Sequence, residues 1–141
     1  MESKRSRKRR VSIKAPLSIL ARFNLIVGEI LPAFYEYNNL VKQKGLYLKP
    51  VHVVVRRNPD GGVTKYFYYG RYWYRIERDS LGRLKWVYVG RVKPIPELPD
   101  PPENPLEGVV VKQYNDVVEV IFASEEVFKM IYEKLSKELS H

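Results

Sequence analysis

This sequence predicts an α+β fold built on one antiparallel sheet, and three observations carry the prediction. Apolar residues recur at three- and four-residue spacings after Pro16 and again after Ser124. Between those stretches, β-branched and aromatic runs alternate with Gly, Pro, Asn and Asp clusters, the pattern of hairpins. Six of the ten prolines fall within residues 93–107, so the β region is interrupted once, by an extended connector. Together these predict N-terminal helices, a sheet of about six strands made from three hairpins, and a C-terminal amphipathic helix. A basic flexible arm over 1–15 precedes a single domain over 16–141.

The arm opens with Lys4, Arg5, Arg7, Lys8, Arg9 and Arg10 against Glu2 alone. Like-charge repulsion keeps such a segment extended until phosphates neutralise it, so it reads as an arm that could order along a nucleic-acid backbone. Nuclear localisation and threading between RNA helices are the other uses of such a tail. Leu20, Phe23, Val27, Ile30, Leu31, Phe34 and Val41 then form one apolar stripe, a packing surface or dimer seam. Pro32 interrupts the stripe and predicts a kink or a split into two helices, and Gly45 predicts the stop.

Residues 51–57 and 63–69 flank Asn58, Pro59, Asp60, Gly61 and Gly62 and predict the first hairpin. Residues 71–78 and 83–89 predict the second, with Gly70 as the bend between the two. The acidic, proline-rich connector 93–107 follows, a linker or strap with polyproline character and no ladder of its own. The third hairpin turns at Asn115 and Asp116. Ser124 caps the last helix, Glu125 and Glu126 sit in its positive first turn, and Val127, Phe128, Ile131, Leu135 and Leu139 form its apolar face. That face is a core face, or else the seam of a helix-mediated homodimer.

The faces of the second hairpin depend on its loop. With Arg78 opposite Arg83, Tyr72, Tyr74 and Ile76 share the core face with Val89, Val87 and Lys85. Trp73 then stands beside Tyr88 and Arg75 beside Trp86 on the other face, where cations alternate with large rings. A loop of odd length exchanges the faces. Residues 66–74 hold seven aromatics in nine positions and must populate both faces, so one face keeps exposed rings whichever is covered.

Charge points to a partner. Residues 1–93 carry 21 basic and 6 acidic side chains, and residues 94–141 carry 4 and 10, so a net of +15 precedes a net of −6. A field of that sign and asymmetry suits a polyanion. Basic residues interleaved with aromatics suit single-stranded DNA or RNA, whose unstacked bases offer flat faces and whose backbone offers a phosphate per nucleotide. The expected site is Trp73, Trp86 and Tyr88 for stacking, with Arg71, Arg75 and the arm for phosphates and little sequence specificity. The bland alternative makes these aromatics cross-strand pairs under a helix, with the arginines reaching past them to solvent.

Residues 70–90, GRYWYRIERDSLGRLKWVYVG, resemble a short aromatic ribbon module found in uncharacterised archaeal and mobile-element proteins; they make up about a seventh of the chain. The whole arrangement of helices, aromatic basic sheet and amphipathic last helix resembles ThermoDBP, a thermophilic archaeal family that binds single-stranded DNA. The resemblance implies that activity and assigns no individual residue. Rich usage of Val, Tyr, Lys, Arg and Glu beside two Met agrees with a thermophilic source.

Other classes fit less well. The chain has no cysteine, which excludes disulfides, thiolate metal sites and cysteine nucleophiles. His52 and His141 are the only imidazoles, and no metal-ligand spacing, phosphate-binding glycine loop or nucleophile elbow is present, so neither catalysis nor a cofactor is expected. No apolar run approaches the roughly 18 residues of a membrane span, and no secretion signal is recognisable, so a cytoplasmic protein is expected. The alternative function is a non-catalytic component of a ribonucleoprotein or other assembly, with the arm on RNA and the aromatic face on protein.

Overall fold

The structure, a computed structural model, describes residues 9–139. Its strands are β1 (Val11–Pro16), β2 (Leu46–Arg57), β3 (Val63–Arg78), β4 (Leu84–Gly90), β5 (Val109–Tyr114) and β6 (Val117–Phe122). Its helices are α1 (Ile19–Val41) and α2 (Glu125–Leu139). The strands form one antiparallel sheet in the order β1-β6-β5-β3-β2, with β4 also paired to β3. This is the expected α+β architecture with six strands and three hairpins, but the strands are composed differently.

Two differences have simple physical origins. Residues 11–15, assigned to the arm from sequence, belong to β1, because Val11, Ile13 and Ala15 alternate with Ser12 and Lys14 and pair along β6. The arm residues Lys4, Arg5, Arg7 and Lys8 lie outside the described residues. The expected bend at Gly70 is absent, and β3 runs through it as one 16-residue strand shared by the first two hairpins.

Pro32 does not split the helix: α1 is continuous for 23 residues. Pro32 and Gly28, whose carbonyl loses its partner, are both exposed, so water can satisfy that carbonyl. Burial of Phe23, Ile26, Phe34, Tyr37 and Val41 on either side of the proline offsets the cost. The helix ends through a short 3₁₀ turn at Gly45, whose φ of 74° lies in the left-handed region that favours glycine.

Both helices cover the same face of the sheet. Phe23 and Ile26 of α1 join Ile131 and Leu135 of α2 over Tyr69, Val109, Val111, Val118, Val120 and Phe122. A second cluster gathers Phe34, Tyr37, Val41, Leu46 and Leu48 around Trp73. Ser124 caps α2 as expected, its Oγ accepting from the Val127 N–H at 3.2 Å. No helix among the described residues is long and apolar enough to cross a membrane.

The proline-rich connector is a strap on the helix side. Ile95 and Leu98 close the Trp73 cluster, and the Tyr37 hydroxyl donates to the Pro99 carbonyl at 2.6 Å. Buried Asn104 is its anchor: Nδ2 donates to the Pro50 and Gly70 carbonyls at 3.0 and 2.7 Å, and Oδ1 accepts from the Leu106 N–H at 3.0 Å. It thereby ties the strap to the bulge where β2 slips against β3 between Lys49 and Val51.

Removing that amide leaves two buried backbone groups, the Gly70 carbonyl and the Leu106 N–H, and the part-buried Pro50 carbonyl without partners. Asn104→Ala is expected to lower stability by about 2–4 kcal/mol in urea unfolding, against less than about 0.5 kcal/mol for Glu103→Ala at the exposed neighbour.

Candidate nucleic-acid interface

The site begins with the loop between β3 and β4. Arg78 pairs with Leu84, one residue beyond the expected partner, which leaves 79–83 in the turn. Asp79 fixes this odd length: its N–H donates to the Arg83 carbonyl, and its Oδ1 accepts from the N–H groups of Leu81 and Arg83, each at 2.9 Å. Gly82 supplies the positive φ the turn needs, at 80°. The slip of one residue exchanges every side chain of β4 between faces.

Trp73, Arg71 and Arg75 point to the helix side, where α1 packs, and the slip leaves Trp86 and Tyr88 on the uncovered side. Trp73 is 1% exposed and packs edge-on against Tyr37, so the expected stacking role does not hold for it in this fold. Arg71 is held by Glu107 of the strap at 3.2 Å, and Arg75 pairs with Glu77. Arg9 and Arg10 are exposed just before β1.

On the uncovered face, Trp86 and Tyr88 meet residues that sequence reasoning did not select. Tyr74 stands opposite Tyr88, with ring centroids 5.5 Å apart, and Tyr47 meets the Trp86 ring edge-on at 4.6 Å. The Lys49 ammonium lies 4.6 Å from the Tyr74 centroid and 4.8 Å from that of Trp86. His52 stacks on Tyr88 at 4.4 Å and on Tyr72 at 5.4 Å, and its Nδ1 shares a hydrogen bond with the Tyr74 hydroxyl. Tyr66 and Tyr68 extend the row, with Arg56 and Lys112 over the Tyr66 ring. Trp86 and Tyr88 remain 42% and 41% exposed.

Electrostatics on this face favour an anion. Lys14, Lys49, Arg56, Arg91 and Lys112 stand there with Arg10 at its rim, against Glu119, which takes a hydrogen bond from Ser12. Burial, and then the Lys49 charge, hold the His52 imidazole below its ordinary value, so it is neutral at pH 7. Burial pushes the Tyr72 hydroxyl up to about 12, which keeps it protonated as a hydrogen-bond donor. Among the described residues no three His, Cys, Asp or Glu side chains gather to hold a metal ion.

The alternation of Tyr72 and Tyr74 with Trp73 was visible in the sequence; the face that α1 covers, and the loop length that sets β4 against it, were not. Lys49 and His52 carried no local signal, because the bulge at Pro50 puts both on one face at a three-residue spacing. No protein-family description, curated protein or solved structure was found to match this chain, so the site rests on its own geometry.

Two measurements check this arrangement. Trp86→Phe should leave a fluorescence spectrum that acrylamide scarcely quenches, because Trp73 is enclosed, whereas Trp73→Phe should leave a quenchable one. His52 has a folded pKa below its unfolded value, so its contribution is intact above pH 6.5 and is lost as pH falls through 6.5 towards the folded value. The drop in urea midpoint between pH 7.5 and pH 5 should accordingly be larger in the unmodified protein than in His52→Gln.

Proposed function

We propose that the uncovered sheet face binds single-stranded nucleic acid, DNA or RNA, with little sequence preference. One observation carries this reading: a sheet face without a helix presents Trp86 and Tyr88, each about two-fifths exposed, among rings that have Lys and Arg above them. Bases stack on the two exposed rings, while Lys49, Arg56, Lys112 and Lys14 meet successive phosphates. Every base has a π face, so stacking of this kind tolerates any sequence. The buried neighbours Tyr72 and Tyr74 hold the exposed rings from beneath, and α1, α2 and the strap stay on the far side. The arm, Lys4, Arg5, Arg7, Lys8, Arg9 and Arg10, adds further phosphate contacts, those of Lys4, Arg5, Arg7 and Lys8 independent of the sheet.

The test is a titration of the full chain with single-stranded and duplex oligonucleotides over a salt series, read by tryptophan fluorescence. Single strands should quench Trp86 and bind more tightly than duplex. Trp86→Ala should lower single-strand affinity roughly 5- to 150-fold, the span of one base-stacking contact. Lys49→Gln should reduce the slope of log affinity on log salt by about 0.7–0.9. Binding without quenching that disappears when Lys4, Arg5, Arg7 and Lys8 are changed to Gln would refute the stacking face and leave the arm alone on nucleic acid, as in an assembly component.

A further inference from the structure

The sheet forks on this face. Two strands share one edge of β3 end to end: β5 pairs from Thr64 to Tyr69, and β4 from Trp73 to Arg78. Residues 70–72 have neither as partner, and at this break a pocket of about 400 Å³ opens, lined among others by Arg10, Tyr66, Tyr68, Tyr72, Arg91 and Gly108. Ligand pockets commonly start near this size.

The pocket is shaped by one glycine. A Cβ on Gly70 would come within 3.3 Å of Tyr72 Cε2 and 3.4 Å of its hydroxyl oxygen, so the missing side chain lets the Tyr72 ring lie across the strand into the break. The Arg91 guanidinium lies 5.9 Å from the Tyr72 ring centroid, and Arg10 enters from the segment before β1. Among the described residues the ion pairs are formed elsewhere, by Arg71, Arg75, Arg83, Lys93 and Lys134, so Arg10 and Arg91 keep their forks available. Guanidinium forks match phosphate oxygens in pairs, and tyrosine walls match a flat ring.

We propose that this pocket takes one nucleotide unit, its phosphate between Arg10 and Arg91 and its base against Tyr66, Tyr68 and Tyr72. That the unit arrives as part of a strand rests on the function proposed above; a free nucleoside monophosphate offers the same chemistry.

The experiment is calorimetric titration of the full chain with AMP, adenosine and inorganic phosphate. AMP should bind, and each fragment should bind at least roughly tenfold more weakly, because each lacks one half of the recognition. Arg91→Gln, at an exposed position, should weaken AMP roughly tenfold with an unchanged thermal midpoint. Gly70→Ala should do the same by displacing the Tyr72 ring, with circular dichroism reporting whether the sheet is retained. Absence of AMP binding, or binding indifferent to Arg91→Gln, overturns the pocket. If single strands still quench Trp86 in that case, only the pocket has failed. If AMP binds through Arg91 while no strand quenches Trp86, the pocket stands and the strand reading falls. Competition between AMP and a single strand assigns the unit to a strand; independent binding assigns it to a free nucleotide.

Discussion

The sixteen residues of β3 run unbroken through two hairpins, so neighbours in the densest aromatic stretch of the chain must part to opposite faces. Trp73 goes inward, to the cluster that α1 and the strap close, while Tyr72 and Tyr74 go outward. Asp79 then sets β4 against this strand by holding a five-residue turn, and with it the destination of Trp86 and Tyr88. Had the turn been one residue shorter, Trp86 would stand on the same face as Trp73, toward the helices. A single carboxylate accepting two backbone N–H groups thus puts the second indole on the face opposite the first.

The helices cover the centre of one face and leave the other free. Both helices, the strap and its acidic residues Asp100 and Glu107 gather on the core side, where Lys93 and Arg71 pair with them. On the opposite face Lys49, Arg56, Arg91 and Lys112 stand over rings instead. The strap therefore bears on the proposed site indirectly: it pairs with cations on the core side and, through Asn104, holds the bulge that brings Lys49 and His52 into register with the aromatic row. The same break in β3 pairing that admits Asn104 on the Gly70 carbonyl leaves the pocket between β4 and β5.

How far this was legible in the sequence varies by residue. The helix stripe, the hairpin turns and the Ser124 cap were readable because they depend on local chemistry: side-chain period, glycine dihedrals and a hydroxyl at a helix start. β1 was also encoded, as Val11, Ile13 and Ala15 at period two, but the charge run before it masked a strand whose partners, β6 and the main core, lie far along the chain. Trp73 and Trp86 were both visible as candidates. Assigning them needed the face of β3 that the helices cover and the parity of one loop, which depends on how Asp79 folds back on the turn rather than on composition. Arg71 looked like a phosphate ligand until tertiary structure supplied Glu107, and Arg75 pairs with Glu77, two residues along the same strand. Pro32 misled for the opposite reason: its local cost is real, and burial on both sides of it outweighs that cost.

The most direct test of the account is a residue-by-residue map of the face that meets the ligand. Amide and side-chain chemical shifts of the full chain, recorded as oligothymidylate is added, should move along the uncovered face, at Tyr66, Tyr68, Trp86 and Tyr88 and at the indole N–H of Trp86. Shifts in α1, α2 and the Trp73 indole should stay in place. Perturbations concentrated on the helices or the strap, with Trp86 unmoved, would contradict the division of the sheet into a core face and a binding face.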